Sequence, residues 1–119
     1  MDRRAEVGRR GEDAAVAAYA ARGFRVVARN WRCPLGEIDL VVEREGLLVF
    51  CEVKTRSGAA FGGGFEAVTA AKRRKLRALA EAFLATRDDP PPSVRFDVAS
   101  VRPGRGAAQV ELFEDAFGA

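Results

Sequence analysis

The chain has 119 residues, 48% hydrophobic and 31% charged, which fits one globular domain over residues 1–119 and excludes wholesale disorder. It contains no histidine, so Ser-His-Asp and Cys-His catalysis, HNH-type nucleases and histidine zinc sites are excluded. The net charge is only +3, from 20 basic and 17 acidic residues, but the basic residues are clustered, as on a phosphate-binding face or an arginine-rich solvated surface.

The sequence carries no sign of secretion or membrane insertion. The first residues lack the apolar core of a signal peptide, and no apolar run approaches the roughly 18 residues of a membrane span. The two cysteines, Cys33 and Cys51, are too few for a zinc site without histidine and would stay reduced in a cytosol. We therefore expect a cytoplasmic protein without membrane contact, in which Cys51 is a small core residue.

An Ala-rich segment over residues 4–22 predicts the first helix, with Gly23 as the residue that ends it. Glu12, Val16 and Tyr19 fall on one stripe at helical spacing. A carboxylate at the start of an apolar stripe needs a partner if it is buried. The alternative for Glu12 is stabilisation by the helix dipole or an exposed salt bridge.

Residues 24–29 predict a strand, and residues 30–36 a loop that contains Trp31 and Cys33. We expect Trp31 to cover the edge of the core, with base stacking as the alternative. Two apolar runs then follow, Ile38–Val42 and Leu47–Val53, separated by Glu45-Gly46. Runs of this length around a Gly-containing turn predict a β-hairpin.

The hairpin contains charges that an apolar strand tolerates only when they are paired or bound to a cation. Glu52 and Lys54 share one strand face, with Cα atoms roughly 6.5–7 Å apart. Asp39 across the hairpin from Glu52 would bring two carboxylates together, and a bound metal ion would relieve their repulsion. The alternative is an ordinary ion pair, Glu52–Lys54 or Asp39–Lys54, at a solvated strand end.

The second half of the chain predicts one more helix and two strands. The Gly-rich stretch after Lys54, with four glycines up to Phe65, predicts a substrate-facing loop. A helix over about 70–87, capped by Thr69, has its apolar stripe extended by Lys72 toward the sheet edge. Strands follow at 93–101 and 109–113, and we expect Asp97 to form a structural pair with Arg95.

The pattern of Asp39 followed by Glu52-Val53-Lys54 resembles the PD-(D/E)xK nuclease superfamily, with Ile38 where a Pro is usual. Segments along nearly the whole chain resemble the bacterial YraN-like family, which is related to Holliday-junction resolvases: G-R-R-G-E-D-A-A, N-W-R, G-E-I-D-L, E-V-K-T-R, K-R-R-K-L and V-R-F-D-V. The resemblance implies an α/β, restriction-endonuclease-like core, a mixed central β-sheet flanked by helices. The predicted order α-β-β-β-α-β-β fits that core.

The resemblance also implies a metal-dependent DNA endonuclease. Asp39, Glu52 and Lys54 would be catalytic, and Mg²⁺ or Mn²⁺ would be held by Asp39 and Glu52 with help from Glu12 and the Val53 carbonyl. The residues expected to bind the DNA backbone are Arg9, Arg10, Arg32, Arg56, Lys72, Arg73 and Lys75.

Two questions stay open in the sequence. The substrate is one: a junction, flap, nick or single strand would all suit recognition by shape and charge, and a four-way junction would call for a homodimer. The other is activity itself, since a binding module without catalysis could keep the same fold.

Overall fold

The structure, a computed structural model, describes residues 3–55, 70–91, 93–104 and 106–116. Its elements are α1 (Arg3–Ala21), β1 (Arg25–Cys33), β2 (Gly36–Arg44), β3 (Leu47–Thr55), α2 (Ala70–Leu84), β4 (Ser93–Arg102) and β5 (Gln109–Phe113). The predicted order and the mixed sheet flanked by helices are confirmed.

The five strands lie in the order β1-β2-β3-β4-β5, and the pair β3–β4 is parallel while the other pairs are antiparallel. The hairpin turn has positive φ at both Glu45 (48°) and Gly46 (81°), the backbone of the tight turn that matches strand twist. A parallel pair needs a long crossover, and α2 lies within the connection from β3 to β4.

Alternation along the strands divides the core into two layers, one under each helix. Tyr19 of α1 packs against one face of the sheet, and Phe83 of α2 packs against the other. Neighbouring residues Leu48 and Val49 are both fully buried but belong to different layers. Cys51 is buried in the α1 layer, as predicted for a small core residue.

Strand β1 is longer than predicted, and the expected loop at 30–36 is wrong for residues 30–33. Trp31 and Cys33 lie in β1, where they pair with Ile38 and Gly36 of β2. Pairing with the hairpin outweighs the turn-like composition here, and Asn30 takes a left-handed φ of 51°. The Trp31 ring contacts Phe83 edge-on at 5.3 Å between centroids, so its predicted role at the core edge is confirmed.

The helices differ only at their ends from the prediction. Gly23, with φ of 86°, follows α1 and supports its C-terminal cap, as expected. Helix α2 ends at Leu84 rather than 87, because Thr86 and Arg87 donate to carbonyls three residues back and tighten the last turn. Thr69 lies outside the described residues. Within the described helices, none is both long and apolar enough to cross a membrane.

A buried carboxylate fastens α1 and the C-terminal residues to the sheet. Asp97 is 0% exposed and accepts hydrogen bonds from Tyr19 Oη at 2.7 Å, Arg95 Nε at 2.9 Å and the Asp115 N–H at 3.0 Å. Burial, with Cys51 and Asp97 nearby, raises the pKa of Tyr19 far above its usual range, so the phenol remains a donor. The predicted structural pair Arg95–Asp97 is confirmed.

Candidate active site

Strands β2 and β3 part company at the position of the two predicted catalytic acids. Their ladder ends at the pair Leu40–Cys51. Beyond it, β2 continues with β1 as far as Gly36, and β3 continues with β4 as far as Thr55. We call this divergence the fork; it leaves an opening between two strands of one sheet.

Asp39 fills part of the fork and takes the place of a missing ladder partner. Its Oδ2 accepts a hydrogen bond from the Val53 N–H at 2.8 Å. The strand alternation is irregular here, since Ile38 and Leu40 are two residues apart yet belong to opposite core layers. The carboxylate of Asp39 therefore sits where backbone pairing would otherwise have closed the sheet.

The environment of Asp39 disfavours its negative charge. Desolvation raises the pKa of Asp39 to about 6, opposed by the hydrogen bond from Val53 and aided by the charges of Glu52, Glu12 and Glu37. A carboxyl group surrounded by three other carboxylates is a site where a cation would lower the free energy.

Glu52 lies on the opposite side of the fork and has two very different oxygens. Its Oε1 lies 2.9 Å from Lys72 Nζ and 3.3 Å from Lys54 Nζ. Its Oε2 is buried and has no hydrogen-bond partner. Desolvation and the neighbouring Lys72 lower the pKa of Lys54, while Glu52 opposes that shift.

Glu12 reaches the neighbourhood of the fork because α1 approaches β3 unusually closely. A Cβ at Gly11 would lie 2.1 Å from Thr55 Oγ1, so only glycine allows this contact. The adjacent Glu12 accepts a hydrogen bond from Asn30 Nδ2 at 2.8 Å and lies 3.5 Å from Arg29 Nη2. The buried-carboxylate prediction for Glu12 thus has its partners, and they belong to β1.

Asp39 and Glu52 both line a small pocket between the fork and α2, of about 70 Å³. That volume holds a few water molecules or a partly hydrated ion. The remaining lining residues are Glu37, Ile38, Phe50, Cys51 and Leu76.

The donor set fits a divalent cation held by two carboxylates, with water completing its coordination. Glu52 Oε2 lacks the partner that a buried carboxylate oxygen requires, and Asp39 is crowded by like charges. Hard oxygen donors suit Mg²⁺ or Mn²⁺, and Mg²⁺ usually keeps several waters. Among the described residues no group of three or more acids or cysteines is assembled for a metal, so ligation by Glu12 and by the Val53 carbonyl remains a prediction.

The basic residues predicted to contact DNA lie in different surroundings. Arg9 and Arg10 are exposed on α1, and Arg73 and Lys75 are exposed on α2. Lys75 extends toward the start of β2, with Nζ 3.7 Å from the position of a Cβ at Gly36.

Two of the predicted DNA contacts are already paired, and one is not described. Arg32 Nε lies 3.2 Å from Glu37 Oε2, and Lys72 is bound to Glu52 rather than pointing outward. Arg56 lies outside the described residues, as does the Gly-rich stretch that follows it.

Two site residues escape sequence reasoning. Asn30 holds Glu12 from a strand that was predicted to be a loop. Ser100 pairs in register with Lys54, and its buried Oγ has no hydrogen-bond partner. Register between parallel strands leaves no local signal in the sequence, whereas the alternation of residues 28–33 with the hairpin could have extended β1.

Comparison with known proteins gives the chain consistent relatives. The sequence model described as "Uncharacterised protein family UPF0102" matches residues 11–101. A UPF0102 protein of Symbiobacterium thermophilum is 49% identical over 118 residues, 98% of each chain. A UPF0102 protein of Parafrankia sp. (strain EAN1pec) is 49% identical over 112 residues, 93% of this chain and 95% of its own. Another, of Mycolicibacterium smegmatis, is 51% identical over 104 residues, 86% of this chain and 84% of its own.

Proposed function

The chain belongs to the uncharacterised family UPF0102, and we propose that it is a metal-dependent nuclease that hydrolyses phosphodiester bonds in DNA. The observation that carries the proposal is the fork, where Asp39 and Glu52 converge on one pocket and Glu52 Oε2 is buried without a partner. A carboxylate oxygen left in this state costs free energy unless a ligand uses it.

Asp39 and Glu52 would hold Mg²⁺ or Mn²⁺. The bound ion supplies positive charge for the scissile phosphate and lowers the pKa of a bound water. Lys54, 24% exposed in its side chain, holds the attacking water or the charge that develops on the phosphate.

The surroundings of the fork favour positioning of a nucleic-acid backbone. Arg73 and Lys75 on α2 and Arg10 on α1 are exposed cations that suit phosphate contacts. The one described tryptophan, Trp31, is packed against Phe83 and so is not available for base stacking. Recognition should therefore depend on the shape and charge of the DNA rather than on its sequence, and branched DNA belongs to the substrates to test.

A second candidate function is nucleic-acid or partner binding without catalysis. It is favoured by the occupation of Glu52 Oε1 by two ammonium groups. If that arrangement is permanent, Glu52 is a structural ion-pair partner rather than a metal ligand.

Cleavage of a panel of end-labelled DNAs separates the two functions. The panel comprises single-stranded, linear duplex, nicked, flap and four-way-junction DNA, each with Mg²⁺, Mn²⁺ or EDTA. We expect cleavage in metal alone, with a loss of at least about 10²-fold for Glu52→Gln. The matched control is Glu81→Gln, which makes the same change at an exposed position of α2 and should cut like the parent.

The controls also define failure. DNA binding without cleavage by the parent protein would establish the binding module. Equal cleavage by Glu52→Gln and the parent would assign the activity to a contaminant or to another site. Paired cuts in a four-way junction would require a two-fold dimer, which sedimentation of the protein–junction complex would detect.

A further inference from the structure

Glu52 is neutralised by a lysine that lies outside the acid-x-Lys motif. Lys72 comes from the first turn of α2, on a different element from Glu52, and its Nζ is the closer of two ammonium groups to Oε1, at 2.9 Å against 3.3 Å for Lys54. The two cations meet on one carboxylate oxygen while the other oxygen is left without a partner. This asymmetry is what a carboxylate shows when one of its oxygens is occupied by a substitute cation.

The two lysines differ in how tightly the fold holds them. Lys54 is fixed by β3, which is paired with β4 at that position. Lys72 is carried by the exposed start of a helix, and its side chain is 35% exposed against 24% for Lys54. When a divalent ion approaches Glu52, repulsion between it and the nearby ammonium is relieved most easily by movement of the more exposed lysine.

We propose that Lys72 is a displaceable counter-ion, which neutralises Glu52 in the metal-free protein and turns to a DNA phosphate when a divalent metal takes its place. The proposal rests on the proposed function, because it concerns the same pocket. The next residue along α2, Arg73, is exposed, so a released Lys72 joins a surface that already carries positive charge.

Such an exchange couples metal and DNA binding. The metal must compete with Lys72 for Glu52, and DNA phosphate then binds the ammonium that the metal has released. Because coupling between two ligands is reciprocal, DNA should strengthen metal binding by the same factor by which metal strengthens DNA binding.

The first test measures Mn²⁺ binding to the full chain without DNA, from the electron paramagnetic resonance signal of free Mn²⁺. We expect Lys72→Met and Lys72→Gln to bind Mn²⁺ about three- to tenfold more tightly than the parent, because a competing charge next to the ligand is removed. The control is Arg74→Met, which removes a charge from the same helix about 200° away around its axis and should change the Mn²⁺ affinity less than about twofold.

The outcomes separate this proposal from the proposed function. Unchanged or weaker Mn²⁺ binding by both Lys72 variants, with binding by the parent that Glu52→Gln abolishes, would overturn the exchange and leave the nuclease proposal intact. Absence of Mn²⁺ binding by every variant would overturn both.

The second test measures the affinity for a fluorescent duplex in EDTA and in Ca²⁺ at matched ionic strength. The parent should bind more tightly in Ca²⁺ by several-fold, and Lys72→Gln should lose most of that gain while Arg74→Met retains it. An equal gain in the parent and Lys72→Gln would refute the transfer of Lys72 to phosphate.

Discussion

Replacing Asp39 by Asn should stabilise the metal-free protein at neutral pH. The Asn Oδ1 can still accept the Val53 N–H that Asp39 Oδ2 now accepts at 2.8 Å, while the negative charge among Glu52, Glu12 and Glu37 disappears. The rise of the Asp39 pKa from 3.8 to about 6 corresponds to a ceiling of roughly 3 kcal/mol, at about 1.4 kcal/mol per pH unit. Solvent screening at a half-buried group reduces this to about 1–2 kcal/mol.

The sign of the pH dependence follows from the direction of that shift. Between about pH 4 and pH 6 the folded state retains a proton on Asp39 that the unfolded state has lost, so the stability of the parent falls as the pH rises through this window. The gain from Asp39→Asn should therefore be small at pH 4 and complete above pH 7.

Thermal unfolding in EDTA at pH 4 and pH 7.5 measures this effect. For a chain of this length a gain of about 1–2 kcal/mol raises Tm by about 4–8 °C. The control Asp88→Asn makes the same change at an exposed position after α2 and should change stability by less than about 0.5 kcal/mol. Added Mn²⁺ should stabilise the parent and not Asp39→Asn, since a ligand that binds only the folded state raises its stability.

A lower Tm of Asp39→Asn at pH 7.5 would refute this reasoning. It would mean that the Asp39 charge is net stabilising in the folded protein, as for a carboxylate whose attraction to the two site lysines exceeds its repulsion by the other acids. The fork would then be a structural ion-pair cluster.

Three further changes probe other parts of the molecule. Lys54→Met should lower the single-turnover cleavage rate by about 10²–10³-fold with metal affinity retained; an unchanged rate would remove Lys54 from the reaction. Tyr19→Phe should cost about 1.5–3 kcal/mol in urea unfolding, because the buried charge of Asp97 loses a 2.7 Å hydrogen bond; a loss below about 0.5 kcal/mol would contradict it. Gly11→Ala should cost about 1–3 kcal/mol, since its Cβ would meet Thr55 Oγ1 at 2.1 Å, and Thr55→Ala should restore most of that loss in a double-mutant cycle.

The sequence predicts this fold well because its strongest signals are local. The hairpin, its turn at Glu45-Gly46 and the apolar stripe of α2 each depend on residues within a few positions of one another. The end of β1 depends instead on pairing with β2 at Trp31, and such long-range pairing overrides a turn-like composition.

The candidate site is predictable in its members but not in its connections. Alternation places Asp39 and Glu52 near each other, but it does not reveal that their ladder stops one pair earlier and that Asp39 binds a backbone amide. The sequence indicates that Lys72 points toward the sheet edge, and interprets it as a phosphate contact. Its pairing with Glu52 depends on how α2 packs on the sheet, which the sequence of either segment alone does not specify.

The hydrogen bond from Val53 to Asp39 gives the protein an internal spectroscopic reporter. Most backbone amides in a sheet donate to carbonyl groups, whose charge does not change with pH, whereas the Val53 amide donates to a carboxylate that takes up a proton near pH 6. In ¹⁵N-resolved NMR spectra the Val53 cross-peak should therefore move with pH around that midpoint. The same single peak should respond when a cation binds Asp39, so occupancy of the fork can be followed without substrate, label or mutation.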